Sequence, residues 1–185
     1  MGKLVYTAIT SLDGYVNDEA GGFQWAAPDA EVHGFVNDLE RDVGTYLYGR
    51  RLYEVMVYWE TFPTDDPDKV DHDYARIWQS ADKVVYSTSL ESVGSDRTTL
   101  ERVFDPEHVA ATVAESDRDV SIGGPHLAAH ALRAGIVDEI HLLQVPAIVG
   151  GGTSALPSGI RLDLELLHSR RFAAGTTYAA YAVRR

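Results

Sequence analysis

The sequence predicts an α/β fold with a mostly parallel central sheet, helices on both of its faces and an antiparallel edge at its C-terminal end. Along most of the chain, segments with the alternating pattern of strands take turns with segments of helical spacing. Only a short turn separates the last two strand-like segments, as in an antiparallel pair. Because the 185 residues contain no internal repeat or linker, we expect a single domain over residues 1–185.

The chain begins with a predicted strand over residues 3–10, which alternate and are rich in Val, Ile, Tyr and Thr. The residues SLDG at 11–14 end it. A helix is predicted from Pro28, because proline suits a first helical turn. Its apolar stripe consists of Val32, Phe35, Val36, Leu39 and Val43.

The next elements are a strand over residues 45–48, closed by Gly49, and a helix over residues 50–59. Another strand is predicted over residues 83–86. The acidic stretch 60–73 lies between them and is predicted to be a solvated loop. A metal site there is the weaker alternative, since the carboxylates lack the regular spacing of a calcium loop.

The second half continues with a helix over residues 106–116 and a strand over residues 120–122. Gly123, Gly124 and Pro125 then open a helix, and Gly135 suits its left-handed C-cap.

The C-terminal part has a long strand over residues 140–149 and then a run of glycines. Residues 162–172 and 176–183 form an antiparallel pair joined through residues 173–175.

The composition of the chain argues against several classes of protein. A formal charge of −12 argues against broad nucleic-acid binding, which relies on basic residues. The chain has no cysteine, no apolar run long enough to span a membrane, and no signal-peptide pattern. We therefore expect a cytoplasmic protein without disulfides or a membrane span.

The segment SIGGPHLAAHAL at residues 121–132 is typical of two structures. A helix N-terminus presents unpaired N–H groups, and glycines allow a phosphate to approach them closely. A tight strand-to-helix turn without any ligand accounts for the same residues. The pattern is neither Walker A nor GxGxxG.

Groups that can also bind a phosphate follow two other predicted strands. Arg50 and Arg51 supply guanidinium groups, and residues 87–89 supply hydroxyls. Because ligands in open α/β sheets bind beyond the carboxyl ends of the strands, we expect the three motifs to converge on one edge.

The order of these motifs resembles the dihydrofolate reductases. It runs from SLDG through GRRLYE, VVYSTS and IGGPHL to DEIHLLQVPAIVGGG, and so covers nearly the whole chain. The resemblance is closer to the C-terminal reductase domain of the bacterial riboflavin-biosynthesis deaminase–reductase and its stand-alone relatives. It implies a three-layer dihydrofolate reductase-like fold.

The same resemblance implies NADPH as cofactor and the 5-amino-6-(5-phosphoribosylamino)uracil reductase reaction of riboflavin biosynthesis. Reduction of dihydrofolate or another pterin-like compound remains open, as does a non-catalytic NADPH-binding module. No deamination is expected, since the chain has no cysteine to form the zinc deaminase motif. A small-molecule substrate and a homodimer formed through the C-terminal strands are also implied.

Motif by motif, the resemblance assigns the cofactor contacts. The contacts with the 2′-phosphate are Arg50 and Ser87, with Thr88 nearby. The contacts around the pyrophosphate and ribose are Gly49, Arg51, Leu52, Gly123, Gly124, His126 and Leu127. The contacts with the nicotinamide are Ala8 and Gly14, together with the loop that holds Asp13.

Two carboxylates are the predicted catalytic residues, Glu31 and Asp13. Dihydrofolate reductases use a carboxylate on the first helix, and Glu31 is the nearest candidate, with Asp29 and His33 left open as the group that faces the pocket. Asp13 has a second interpretation, since aspartate in such a segment also tightens a turn.

Trp25, Tyr58 and Trp59 are the predicted substrate-binding aromatics, with packing in the core as the alternative. His126 and His130 have the spacing of helical metal ligands, but no third ligand motif accompanies them, and no metal is predicted.

Overall fold

The structure of the protein is a computed structural model that describes residues 2–66 and 68–184. Its strands, in chain order, are β1 (Leu4–Thr10), β2 (Tyr15–Asn17), β3 (Val43–Gly49), β4 (Asp82–Tyr86), β5 (Thr98–Glu101), β6 (Asp119–Gly123), β7 (Glu139–Gln144), β8 (Thr153–Ser154), β9 (Leu164–Arg171) and β10 (Thr177–Val183). Eight of them form one sheet in the order β5-β4-β3-β6-β1-β7-β10-β9. Strands β2 and β8 pair separately, in a two-stranded sheet.

The large sheet is parallel from β5 to β7. Strand β10 pairs antiparallel with β7 on one side and with β9 on the other. The predicted fold class, with its mostly parallel sheet and antiparallel C-terminal edge, is therefore confirmed.

Helices cover both faces of this sheet. They are α1 (Ala30–Glu40), α2 (Arg50–Met56), α3 (Val70–Ser80), α4 (Pro106–Glu115) and α5 (Pro125–Arg133), with 3-10 turns at Gln24–Ala26 and Val57–Thr61. None of the helices within residues 2–66 and 68–184 has the length and apolar character needed to cross a membrane.

Neighbouring residues of β3 show how the layers are separated. Leu47 packs with α4 and α5 on one face, whereas Tyr46 and Tyr48 pack with Trp78 of α3 on the other. Successive side chains of a strand point to opposite faces, so each face of β3 carries its own helical layer. Trp78 is completely buried.

Helix α3 corrects the prediction of a solvated loop over residues 60–73, because the helix begins at Val70. The acidic residues Asp71 and Asp73 lie in its first turn, where the helix dipole favours negative charge. Tyr74 and Trp78 then bury its apolar side against the sheet.

Several predicted boundaries were also wrong. Val43, predicted on the first helix, begins β3, and the helix predicted over residues 50–59 ends at Met56 and continues as a 3-10 turn. Helix α1 starts at Ala30 after the N-cap Asp29, so Pro28 precedes the helix. Strand β7 ends at Gln144, five residues earlier than predicted, because Pro146 has no N–H to continue the ladder. By contrast, Gly135 has φ 69°, and its N–H bonds to the carbonyl of Leu132 at the end of α5, as the predicted C-cap requires.

A buried carboxyl group lies at the end of α1. Glu40 is 6% exposed, and burial raises its pKa from 4.5 to about 7, an effect that the nearby phenol of Tyr46 only partly offsets. A raised pKa in the folded state means that the native protein binds more protons than the unfolded chain between these two values. Stability from this site is therefore present at low pH and falls as pH rises from about 4.5 to about 7.

Glu40→Gln should remove this pH dependence, since the amide is neutral at every pH. We expect the variant to exceed the parent in free energy of unfolding by about 3 kcal/mol near pH 8, but not near pH 4.5. Urea denaturation across this pH range measures both values. Asp38→Asn on the same helix is the control, because its side chain is 73% exposed. An equal difference between Glu40→Gln and the parent at all pH values would contradict the prediction.

Candidate functional site

Parallel pairing brings the three predicted motifs together at one edge of the sheet. Gly49 lies opposite Tyr86 in the β3–β4 ladder, and Tyr48 lies opposite Gly123 in the β3–β6 ladder. The residues that follow these strand ends, in α2, in the loop 87–90 and in α5, are therefore neighbours.

The start of α5 differs from the starts of α1 and α4. Asp29 caps α1 by accepting the N–H of Val32 at 2.9 Å, and Asp105 caps α4 by accepting the N–H of Glu107 at 3.0 Å. Helix α5 begins after Gly124 without any side-chain cap. Unpaired N–H groups at a helix start favour an anion, which fits the phosphates of a dinucleotide.

The two glycines before α5 have structural reasons of their own. A Cβ on Gly123 would lie 2.5 Å from Cδ2 of Leu52 and 3.3 Å from the ring of Tyr48. Gly124 adopts φ +87°, which other residues rarely take. The positive φ of Gly124 and the close packing of Gly123 against Leu52 account for these glycines without a ligand, so the pair alone does not identify a phosphate site.

Arg50 lies at the start of α2, and its side chain is 48% exposed. Its Nε donates to Glu54 at 2.7 Å, and its Nη1 donates to the hydroxyl of Ser89 at 2.9 Å. Arg51 is also exposed. The guanidinium of Arg50 is thus held over the loop 87–90, where an anion can meet it.

Ser87 follows β4, as predicted, but its hydroxyl is engaged within the protein. Its hydroxyl is buried and accepts the N–H groups of Ser89 and Leu90, at 3.2 and 3.0 Å, so it shapes the loop. Thr88 and Ser89 are exposed, and the hydroxyl of Ser89 accepts Nη1 of Arg50. The structure therefore supports Ser87 as the residue that shapes the loop rather than as a direct phosphate contact.

The loop after β1 is fastened by Asp13. Its carboxylate accepts the N–H groups of Val149 and Gly150, at 3.2 and 2.8 Å. A hydrogen bond from Ser11 and these amides hold the pKa of Asp13 below its ordinary value. A carboxylate held ionised in this way is a poor proton donor, so the structure does not support the predicted catalytic role of Asp13. Gly14 turns the same loop with φ +87°, and Ala8 lies buried in β1.

A cavity of ≈ 180 Å³ lies beside the carboxyl ends of β1 and β7. Its walls are Ile9, Trp25, Ala26, Ala27, Pro28, Asp29, Val32, Val145, Pro146, Ala174 and Thr176. Trp25 thus lines a cavity, as predicted for a substrate-binding aromatic. Asp29 is the acidic residue of this wall, and one of its oxygens, Oδ1, is used in capping α1.

Glu31, the predicted catalytic carboxylate, does not line this cavity. One of its oxygens accepts Nη2 of Arg170 and the other accepts the N–H of Ala173, both at 3.0 Å. It thereby ties α1 to the hairpin between β9 and β10. This arrangement gives Glu31 a structural role, and Asp29 is the acidic residue among those that line the cavity.

The other candidates on this side form an aromatic cluster. The ring of His33 lies 6.1 Å from Trp59 and 5.8 Å from Tyr74, and burial lowers its pKa. Tyr58 packs edge-on against Trp59 and is 62% exposed. These residues do not line the cavity at Trp25, so two of the three predicted substrate aromatics lie elsewhere.

The two histidines of α5 have different neighbours. His126 is exposed beside the uncapped helix start, whereas the ring of His130 lies 6.1 Å from that of Phe104. Within residues 2–66 and 68–184, no group of three or more His, Asp or Glu side chains is arranged to hold a metal ion.

One residue at this edge was missed by sequence reasoning. Arg102 follows β5, and its Nη1 donates to the carbonyls of Ser87 and Leu90, at 3.0 and 2.6 Å. The signal for it was weak, since β5 is only the four residues TTLE after a polar loop. Without that strand, nothing in the sequence places Arg102 beside the loop 87–90.

Comparison with solved structures shows the same fold. A protein from Shewanella sp. PV-4, described as a candidate riboflavin-biosynthesis protein, has 21% identity, a TM-score of 0.77 and 99% coverage of both chains. The deaminase/5-amino-6-(5-phosphoribosylamino)uracil reductase of Thermotoga maritima has 12% identity, a TM-score of 0.68, and coverage of 99% of this chain and 57% of that one. Dihydrofolate reductase from Enterococcus faecalis, complexed with NADP(H), has 14% identity, a TM-score of 0.69, and coverage of 100% and 98%.

Sequence comparison identifies the family. No curated protein sequence matches the chain. The family model described as the RibD C-terminal domain matches residues 2–178. Since that match spans nearly the whole chain, the protein belongs to the RibD C-terminal domain family.

Proposed function

We propose that the protein is an NADPH-dependent reductase of the 5-amino-6-(5-phosphoribosylamino)uracil reductase type. The observation that carries this proposal is the donor set at the sheet edge, where Arg50 and the uncapped start of α5 lie side by side on adjacent strands. Membership in the RibD C-terminal domain family supports the reaction, and the solved reductases with this fold support the cofactor.

In this proposal the cofactor lies along the edge of the sheet. Its adenosine end contacts Arg50 and the loop 87–90, and its pyrophosphate meets the amides of His126 and Leu127. Its nicotinamide reaches Ala8 and Gly14, on the side of the Asp29 cavity. NADPH supplies the hydride when it is bound, and the protein's part is to hold both reactants in place.

Asp29 is the polar group that we propose for substrate recognition. The cavity around it is mostly apolar, which suits a flat heterocycle. Its Oδ1 caps α1, and Oδ2 remains able to accept an N–H from such a ring. The same chemistry fits a pterin, so reduction of dihydrofolate or another pterin-like compound is the second candidate.

Turnover assays separate these candidates. We expect the purified protein to oxidise NADPH in the presence of the ribosylaminopyrimidine, followed by the loss of NADPH absorbance. Turnover with dihydrofolate alone would assign the protein to the second candidate. Tight NADPH binding without turnover of either compound would instead indicate a non-catalytic NADPH-binding module.

Asp29→Ser tests the carboxylate without removing the helix cap, because serine is itself a good N-cap. Loss of a charged hydrogen-bond acceptor should lower kcat/KM roughly 10- to 100-fold. Glu31→Gln provides the comparison, and we expect it to leave kcat/KM within about threefold while lowering the melting temperature. The opposite pattern, with kcat/KM lost in Glu31→Gln and kept in Asp29→Ser, would restore the original assignment of Glu31.

A homodimer through β9 is also proposed. The strand is exposed along its whole length and pairs with β10 on one side. Leu164, Leu166 and Leu167 are 40%, 56% and 41% exposed. An exposed edge strand with apolar side chains is a template for pairing with a second chain.

Leu166→Lys should convert the dimer to a monomer, since charged side chains oppose strand pairing at an edge. Size-exclusion chromatography with light scattering measures the mass of each variant. Val103→Lys is the matched control, because it changes a residue that is 74% exposed near the opposite edge of the sheet. A monomeric parent protein would refute this proposal.

A further inference from the structure

The cavity at Asp29 has two walls that come from distant parts of the chain. Asp29 and Val32 belong to the start of α1, whereas Ala174 and Thr176 belong to the turn 172–176 between β9 and β10. A ligand that fills the cavity contacts both walls. The shape of the cavity therefore depends on how this turn is fastened to α1.

Glu31 and Arg170 form the connection between the two walls. Nη2 of Arg170 donates to Oε1 of Glu31 at 3.0 Å, and Oε2 of Glu31 accepts the N–H of Ala173, also at 3.0 Å. Glu31 lies in the first turn of α1, and Ala173 belongs to the turn 172–176. The carboxylate of Glu31 thus bridges the two walls, and Arg170 orients that carboxylate.

Arg170 also packs against aromatic rings from both walls. Its guanidinium carbon lies 4.6 Å from the ring centroid of Phe172 and 5.1 Å from that of Phe35. Phe35 belongs to α1, and Phe172 begins the turn and is 1% exposed. A guanidinium over an aromatic face is attracted by the negative charge of that face. Arg170 therefore contacts each wall directly as well as the carboxylate that joins them.

The neighbouring residue Arg171 has a different orientation. Arg170 lies opposite Tyr178 in the β9–β10 ladder, and the ring of Tyr178 packs against Phe35 of α1. Successive side chains of a strand point to opposite faces, so Arg171 points away from α1. It is exposed. Arg171 thus offers a control of the same residue type on the same strand.

We propose that Arg170 is a positioning residue that sets the affinity of the cavity for its substrate by holding the turn 172–176 against α1. This inference rests on the proposed function, since it requires a substrate in the cavity at Asp29. Arg170 does not itself line the cavity, so it acts through Ala174 and Thr176 of the turn. The proposed cofactor contacts follow β3 and β6 and do not involve this turn.

Three substitutions of Arg170 separate its contacts. Arg170→Ala removes the hydrogen bond to Glu31 and the packing on both rings. Arg170→Met keeps a long side chain for the rings without the charge, and it also serves if the alanine variant does not fold. Arg170→Lys keeps a cation that can pair with Glu31. Arg171→Ala is the control.

Three measurements are made on the parent and on each variant. Steady-state kinetics with the ribosylaminopyrimidine and with dihydrofolate gives kcat and KM. Isothermal titration calorimetry gives the dissociation constant of NADPH. Hydrogen exchange of the Ala173 amide, followed by NMR, reports on the contact between the turn and α1.

We expect Arg170→Ala to raise the KM of the substrate roughly five- to tenfold and to leave kcat and the dissociation constant of NADPH within about twofold. Arg170→Met should change KM in the same direction. The amide of Ala173 should exchange faster in both variants, because its acceptor on Glu31 is no longer oriented. Arg170→Lys should return KM to within about threefold of the parent, since it restores the ion pair. Arg171→Ala should leave KM and the exchange of this amide unchanged.

Other results would overturn the inference. A lower melting temperature in Arg170→Ala with an unchanged KM would show that Arg170 only stabilises the fold, while turnover by the parent would leave the proposed function standing. An equal rise of KM in Arg171→Ala would show that charge on β9, rather than the contact with α1, alters the affinity. A parallel loss of kcat and of NADPH affinity would indicate general disruption of the fold. A parent that turns over neither compound would refute the proposed function and this inference with it.

Discussion

The parallel pairing of neighbouring strands is the constraint on which the candidate site depends. Residues that are far apart in the chain, such as Arg50, Ser87, Arg102 and Gly124, become neighbours only because their strands run in the same direction in fixed register. A shift of one residue in any ladder would turn the strand's side chains to the opposite face and displace the residue that follows it. The packed layers on both faces, centred on Trp78 and Ile122, therefore stabilise the position of groups that lie outside the core.

Charge is distributed unevenly around the central sheet and its helices. Carboxylates cap α1 and α4, and the acidic residues of α3 lie in its first turn, so several helix starts are already neutralised by the protein. The starts of α2 and α5 have neither a side-chain cap nor an acidic residue in the first turn, and these two helices follow the adjacent strands β3 and β6. In a protein with an excess of acidic residues, this pattern makes the edge at the ends of β3 and β6 the more favourable place for an anion. Glu54 weakens the attraction of this edge for an anion, because its carboxylate partly neutralises the charge of Arg50.

The sequence predicted the larger features because they depend on local signals. Alternating residues marked β1, and Gly135 marked the end of α5. Helix α3 was missed since the acids of its first turn look like a solvated loop, and only burial of Tyr74 and Trp78 shows its apolar side. The choice between the carboxylates at the start of α1 was harder still. Asp29 and Glu31 are two positions apart, and neighbouring helical residues differ by about 100° in direction. The sequence alone therefore did not show which of these two residues lines the cavity.

The carboxylates near the candidate site differ in where their hydrogen-bond partners lie in the chain. In both Asp13 and Glu31, each carboxylate oxygen accepts a hydrogen bond from a backbone N–H or from an arginine. These donors lie more than a hundred residues away in the chain. Such bonds fasten the loops that border the cavity and engage oxygens that would otherwise face only solvent or a ligand. Asp29 bonds within its own turn through Oδ1, and in the proposed site Oδ2 is the oxygen that can accept a hydrogen bond from the substrate. The long-range partners, rather than the residue type, therefore determine which of these acids can take part in substrate recognition.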